Sequence, residues 1–220
     1  MSAKAPDREG GRREFGGWAE WPDNSPHREG RRAAHRGAGA VPDGGLRLAS
    51  AVAVSRNGGG DDSFARRIAR RFAAAPTLPY SKRPGDAVGA ESQEIMLQPS
   101  GRPAFTGPVY LITSHRTASA AEVFVMSMRA LPNVVHLGGT TEGSLSDILS
   151  RRLPNGWVIN LSNEVYLDPE GILWEGRGVP PEVPLAISGS HRPTRKDREA
   201  VRDLVRHVQA HAAGREAGGR

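Results

Sequence analysis

The stretch from Pro108 to Gly139 limits the fold more than any other part of this chain. PVYLITS (Pro108–Ser114) is an apolar, partly β-branched run of strand length, and HRT is a short turn. SAAEVFVMSMRAL (Ser119–Leu131) has helical length, with Phe124, Met128 and Leu131 on one face. NVVHLGG (Asn133–Gly139) is a second short strand that opens into glycines. A strand regained through a helical crossover runs parallel to the first, because only a long connection carries the chain back to the starting end of the sheet. The pattern predicts a βαβ unit in an α/β domain.

The flanks extend that unit. LRLASAVAVS (Leu46–Ser55) reads as another strand, followed by the glycine-rich loop RNGGGDD (Arg56–Asp62). In DSFARRIARRFAAAP, Phe64, Ile68 and Phe72 recur every four residues, and Arg66, Arg67, Arg70 and Arg71 face away from them. This predicts an amphipathic helix with the apolar stripe as its packing face. Residues 76–107 are rich in Pro and Ser and offer one short strand candidate, Glu94–Leu97. RRLPNGWVINLSNEVYL reads as a hairpin, with Asn155-Gly156 as the tight turn and Trp157, Ile159 and Leu161 alternating on one face. At the end, PTRKDREAVRDLVRHVQAHAAG predicts a helix. Thr194 and Asp197 have capping-box spacing, Val201, Leu204, Val205 and Val208 form its stripe, and Gly214 ends it.

Residues 1–45 differ in kind. They hold nine Gly and four Pro and, among Leu, Ile, Val and Phe, only Phe15 and Val41. Such a segment buries too little apolar surface to offset its ordering entropy. The expected organisation is a disordered arm over 1–45 (Trp18 and Trp21 its exceptions), a core domain over 46–190, and a C-terminal helix and tail over 191–220.

Charge and composition narrow the function classes. The net charge of +6 resides in the ends: residues 1–40 carry eight Lys/Arg against six Asp/Glu, residues 191–220 eight against four, and residues 41–190 fourteen of each. Nothing resembles a recognition helix or an RNA-binding aromatic motif, so no nucleic-acid partner is expected. No apolar run approaches the roughly 18 residues that span a bilayer. MSAKAPDREGGRREFGG lacks the apolar stretch of a secretory signal, which read as written implies the cytoplasm. The chain has no cysteine, which removes disulfides and thiolate metal sites. The close histidine pairs, His27 with His35 and His207 with His211, lack further ligands, so neither a metal nor a cofactor is expected.

Two features could carry chemistry. Ser119 stands where a buried strand has ended and a helix begins, and the free N–H groups at a helix start stabilise a developing anion. Taken alone, it reads first as an ordinary N-cap. The glycines of Asn57–Gly60 also follow a strand, where backbone N–H groups can approach a ligand closely, although a plain turn has the same composition. The loop lacks the Gly-Lys-Ser/Thr ending of a nucleotide-binding loop.

In their order, SRNGGGDD, GPVYLITSHRTASAAEVFVMSMRALPNVVHLGG, TTEGSLSD, LPNGWVINLSNEVYLDPEG and WEGRGVPPEVPL resemble the tail-specific (C-terminal-processing) serine protease family, in its tricorn-core-like branch. The resemblance covers about 140 residues and implies a ClpP/crotonase-like β/α spiral fold. It implies Ser119 as nucleophile on polypeptide substrates, with an oxyanion hole from the N–H groups of Ala120 and of Gly59 or Gly60. Glu175, in WEGRGV, matches the acidic member of a Ser-His-Ser-Glu tetrad. Two departures stand out. Ser144 occupies the position where the Ser/Lys branch carries its lysine base. The upstream His and Ser of the tricorn-like branch have no matching context around His27 or His35, as if the family's N-terminal part were lacking. His115, four residues before Ser119, is a substitute base. The alternative is a non-catalytic member of the fold that binds a hydrophobic ligand or peptide. A homo-oligomer is left open, and exported relatives are common in the family.

Overall fold

The computed structural model describes residues 49–85, 90–190, 194–200, 202–204 and 206. The elements in chain order are β1 (Ser50–Ala53), α1 (Asp62–Ala69), β2 (Thr77–Pro84), β3 (Gln93–Leu97), β4 (Val109–Thr113), α2 (Ala120–Arg129), β5 (Val134–Gly138), β6 (Ile148–Arg152), β7 (Val158–Ser162), β8 (Glu164–Leu167) and β9 (Val183–Pro184). Residues 195–200 and 202–204 are helical as well.

The expected βαβ unit is present. β4 and β5 pair in parallel, from Val109 opposite Val134 to Thr113 opposite Gly138, with α2 between them in sequence. β1 adds in parallel on the far side of β4, and the short β9 pairs in parallel with β5, giving the sheet order β1-β4-β5-β9. α2 is buried all round, from Ala120 to Met128. It therefore has an apolar surface on every side rather than the single stripe of a surface helix.

α1 corrects the expected packing. Its Phe64 and Ile68 lie outward, at 60% and 40% exposure, while Ala65 and Ala69 are the buried positions. Small side chains let two helices approach closely, and α1 packs against α2 through this alanine face. Phe72 lies beyond the end of α1 and packs edge-on against Phe105 at 6.2 Å. Three of the arginines bind protein groups: Arg66 donates to the Tyr80 hydroxyl, Arg70 to the carbonyls of Gln98 and Pro99, and Arg71 to the Ser100 hydroxyl.

The stretch 76–107 holds more strand than its composition suggests. β2 is the middle strand of an antiparallel sheet ordered β3-β2-β8, despite Pro79 within it. Proline lacks the ladder N–H. The register between β2 and β3 shifts between Thr77 and Tyr80, an irregularity that accommodates Pro79. β6 and β7 form the expected hairpin, with Ile148 opposite Ser162 and Arg152 opposite Val158.

At the C-terminal end the expected capping box is formed. Thr194 N–H donates to Asp197 at 2.7 Å, and Asp197 N–H to the Thr194 hydroxyl at 3.2 Å. Leu204 is buried with Tyr110 and Leu137. The side chains of Val201, Val205 and Val208, together with Gly214, Trp18, Trp21 and His27, His35, His207 and His211, lie outside the described residues. Among the described residues no helix is long and apolar enough to cross a membrane, and no group of His, Asp and Glu is arranged to hold a metal ion.

Candidate active site

Four loops meet where β4 passes into α2. The turn after β4 is anchored to the end of β1. The Thr117 hydroxyl donates to the Val54 carbonyl at 3.0 Å, and the Ser114 hydroxyl to that of Ser55 at 2.5 Å. Ala118 N–H donates to the Asn57 carbonyl at 3.1 Å, which lays the glycine loop along the entry to α2. The approach is close: a Cβ placed on Gly59 would come within 2.6 Å of the Ser119 Cβ and 2.8 Å of the Ala118 oxygen. Gly59, at φ +103°, occupies a region that side-chain-bearing residues rarely enter.

Ser119 has φ 55° and ψ −131°, and is the only non-glycine residue with positive φ among those described. That conformation strains an L-residue. The residue is half-buried, and its hydroxyl makes no cap hydrogen bond. An ordinary N-cap has extended backbone and turns its oxygen onto the N–H groups of the first helical turn, and Ser119 does neither. Instead, its own N–H is held twice, by the Ser144 carbonyl at 3.0 Å and the Glu122 carboxylate at 3.2 Å.

Two carboxylates fix the loop of residues 141–147 opposite Ser119. Glu122 is buried and also accepts from the Thr141 hydroxyl at 2.6 Å, Gly143 N–H at 2.7 Å and Ser144 N–H at 2.8 Å. Burial pushes its carboxyl above the usual range, with the four donors pulling the other way. Glu175 accepts Leu145 and Ser146 N–H on one oxygen, at 2.7 and 2.9 Å, while its other oxygen has no hydrogen bond among the described residues. Glu122 and Glu175 therefore hold adjoining stretches of one loop, and Ser119 is tied to it through the Ser144 carbonyl. The N–H groups of Ala120 and Gly60 have no protein acceptor among the described residues, whereas Gly59 N–H is taken by the Asn57 side chain at 3.0 Å.

Sequence reasoning singled out neither Glu122 nor Lys82. Ser119-x-x-Glu122 has the spacing of a capping box, so Glu122 left a readable signal. Lys82 left none. It lines an open cleft of about 410 Å³ with Gly60, Asp62, Arg66 and Asp147, and it pairs with Glu164 at 2.7 Å and Asp147 at 3.5 Å. Burial lowers its pKa, but the hydrogen bonds and charges of Glu164 and Asp147 more than offset this and raise it. A lysine so held stays protonated and is unsuited to take a proton from serine. Ser144 is exposed, its N–H donating to Glu122 and its carbonyl accepting from Ser119, and His115 is an exposed turn residue with no hydrogen bond among the described residues.

A strained serine between strand and helix, two backbone donors without a protein acceptor among the described residues and a carboxylate-pinned loop, set on a parallel sheet, coincide with a family match over residues 52–185, more than half of the chain. The chain belongs to peptidase family S41. The resemblance drawn from the motif order is thereby borne out. A solved structure from Parabacteroides merdae ATCC 43184, described as a candidate peptidase, is similar at 32% identity and a TM-score of 0.57. The match covers 64% of this chain and 45% of that one. The photosystem II D1 C-terminal processing protease is similar in fold at 21% identity and a TM-score of 0.54, over 70% of this chain and 37% of that one. Mature CPAF in complex with lactacystin has a TM-score of 0.62 at 14% identity, over 74% and 44%. This S41 chain therefore spans less than half the length of these three structures.

Proposed function

We propose that this S41 chain carries the nucleophile half of a serine peptidase acting on polypeptides. The observation that carries the reading is the strained Ser119, with the Gly59 backbone pressed against it and against the Ala120 N–H, and with the N–H groups of Ala120 and of the next loop residue, Gly60, left without a protein acceptor among the described residues. In this reading the Ser119 oxygen attacks a peptide carbonyl carbon and its proton passes to a base. The resulting oxyanion is received by Gly60 and Ala120 N–H. Gly59 supplies close approach rather than a donor, since Asn57 occupies its N–H. Collapse breaks the C–N bond, the amine leaves with the proton, and water then releases the acyl group and restores the serine.

Glu175, with one carboxylate oxygen open, orients a further hydroxyl or imidazole of the proton-transfer chain. No described residue is seen poised as that base: Lys82 is held protonated, Ser144 is not basic, and His115 makes no hydrogen bond among the described residues. General-base assistance typically contributes about 10²–10⁴-fold, so the chain alone is expected to turn over substrate slowly. The body is taken as a ClpP/crotonase-like spiral, on the support of the parallel sheet and the antiparallel β3-β2-β8 sheet beside it. The core spans 46–190 between the arm 1–45 and the tail 191–220.

A fluorophosphonate probe tests the reading, because at high concentration and long exposure it reports even the slow attack of a serine helped only by an oxyanion hole, without requiring a peptide to fit. Labelling that disappears in Ser119→Ala is expected, together with feeble turnover of unfolded protein substrates. Absence of Ser119-dependent labelling would overturn the peptidase reading in favour of a non-catalytic ligand-binding member. Robust turnover would overturn the statement that no base is at hand.

A further inference from the structure

The β6–β7 hairpin groups exposed apolar side chains that neither the core nor the loops around Ser119 explain. Residues directly opposite in an antiparallel pair share a face, and the faces alternate along each strand. Leu149 lies opposite Leu161 and Arg151 opposite Ile159, and Leu153 N–H donates to the Trp157 carbonyl, so these residues line one face. Ser150 and Asn160 lie on the other, where their side chains bond at 2.8 Å and separate the exposed Ile148 and Val158, so that face is apolar only in isolated spots. On the first face Trp157 is 72%, Leu161 50% and Ile159 40% exposed. A single exposed apolar residue is ordinary, but a contiguous strip marks a contact surface.

Three observations choose its occupant. The hairpin is a two-stranded sheet with no third strand among the described residues, so backbone groups along its edges await a partner. Of the two strands, β6 carries Arg151 and Arg152, charges that discourage strand addition, while β7 (VINLS) carries none. The strip is also small. A stable interface covers roughly 800 Å² on each partner, more than one tryptophan and a few aliphatic side chains supply, which suits a chain held in passing better than a second subunit. Finally, the hairpin grows from the loop that holds Ser119. Ser144 accepts the Ser119 N–H, and β6 begins only four residues later, at most about 14 Å of extended chain.

We infer that the β6–β7 hairpin is the docking strip for an extended apolar stretch of the polypeptide substrate, which adds along the open edge of β7 and lays alternate side chains over Trp157, Ile159 and Leu161. Arg151 and Arg152 select against stretches rich in Lys or Arg. The inference rests on the reading of Ser119 as a nucleophile toward polypeptides, and it assigns the strip to that site's substrate.

The test separates the two. Binding of fluorescein-labelled β-casein, an unfolded polypeptide, is measured by anisotropy in the Ser119→Ala protein with and without Trp157→Ser/Leu161→Ser. Fluorophosphonate labelling is measured in the Ser119 protein with and without the same pair. Casein affinity should fall by about tenfold or more, as expected for losing an aromatic anchor, with labelling unchanged. A second pair, Ile159→Thr/Leu161→Thr, keeps strand propensity and covers the case in which the first disturbs the hairpin. Unchanged casein affinity in both pairs overturns the docking strip. So does a concentration-dependent dimer in sedimentation equilibrium that either pair abolishes, since the occupant would then be a second copy. Loss of labelling in the parent protein would sink the nucleophile reading alone, because casein binding is read without it.

Discussion

Glu122→Gln changes shape hardly at all and should nonetheless be costly. Each carboxylate oxygen of Glu122 faces two donors: Thr141 hydroxyl and Gly143 N–H on Oε1, Ser144 and Ser119 N–H on Oε2. Glutamine replaces one of those acceptors with an NH₂ group. Turned toward Oε2, the NH₂ leaves Ser144 N–H facing another donor, while Ser119 N–H keeps the Ser144 carbonyl. Turned toward Oε1, it orphans Gly143 N–H. Thr141 cannot escape freely there, because its oxygen already accepts Val179 N–H at 2.7 Å. Either orientation leaves a donor unsatisfied, about 1–3 kcal/mol, toward the upper end for the buried Gly143 N–H and the lower end for the part-buried Ser144 N–H. The remaining bonds also lose their charge assistance, which roughly doubles such bonds. A destabilisation of about 2–5 kcal/mol is expected, a large share of the roughly 5–15 kcal/mol that holds a domain folded. Urea unfolding of both proteins measures it, as a lower midpoint at unchanged slope. The difference should shrink in acid as Glu122 takes up its proton, because a protonated acid also presents a donor. A loss below about 0.5 kcal/mol at neutral pH, within the range of neutral surface changes, would refute the assignment of Glu122 as the knot of this loop.

Gly59→Ala should lower stability by about 2–4 kcal/mol, from positive φ and a Cβ meeting Ser119 and Ala118, and should abolish Ser119 labelling; normal labelling would mean that the loop does not press on Ser119. Burial, helped by the charge of Arg129, holds His136 down at about 3. The unfolded chain then binds this proton below about pH 6.5 and the folded chain does not, so stability is lost as pH falls from about 6.5 toward 3, by up to roughly 5 kcal/mol. An identical acid profile in His136→Leu would count against this. Limited trypsin digestion should cut within residues 1–45, at Arg12, Arg13 or Arg31, before it cuts the body, and protection of those sites would contradict the composition argument for that segment.

What the sequence made legible was what local pattern decides. The β4–α2–β5 unit, the hairpin with its Asn-Gly turn and the Thr194–Asp197 cap each rest on near neighbours, and each is present. What it hid was decided by distant partners. The stripe of α1 pointed to Phe64 and Ile68, yet the helix turned Ala65 and Ala69 inward because close approach to α2 outweighed the burial of larger side chains. β2 looked like loop because Pro79 lacks a donor, but a shifted register leaves the rest of the strand paired. Lys82 was invisible as a neighbour of the site, since Glu164 and Asp147 meet it only in the folded chain.

Ser119 shows where the two kinds of information join. Its place between strand and helix is local, but its positive φ is not, and a strained backbone of this kind costs about 1–3 kcal/mol unless its surroundings hold it. Here the Ser119 N–H is held from two sides, by Ser144 and Glu122, and Ser144 is itself held by Glu122. Weakening that grip would let Ser119 relax to extended backbone and turn its hydroxyl onto the helix, becoming the plain N-cap that its sequence position first suggests. Glu122→Gln should therefore lose Ser119 labelling even under conditions where nearly all of the protein remains folded. Labelling that fell only in step with the folded fraction would show that Ser119 keeps its conformation without Glu122, and that Gly59 and the turn after β4 are sufficient to hold it.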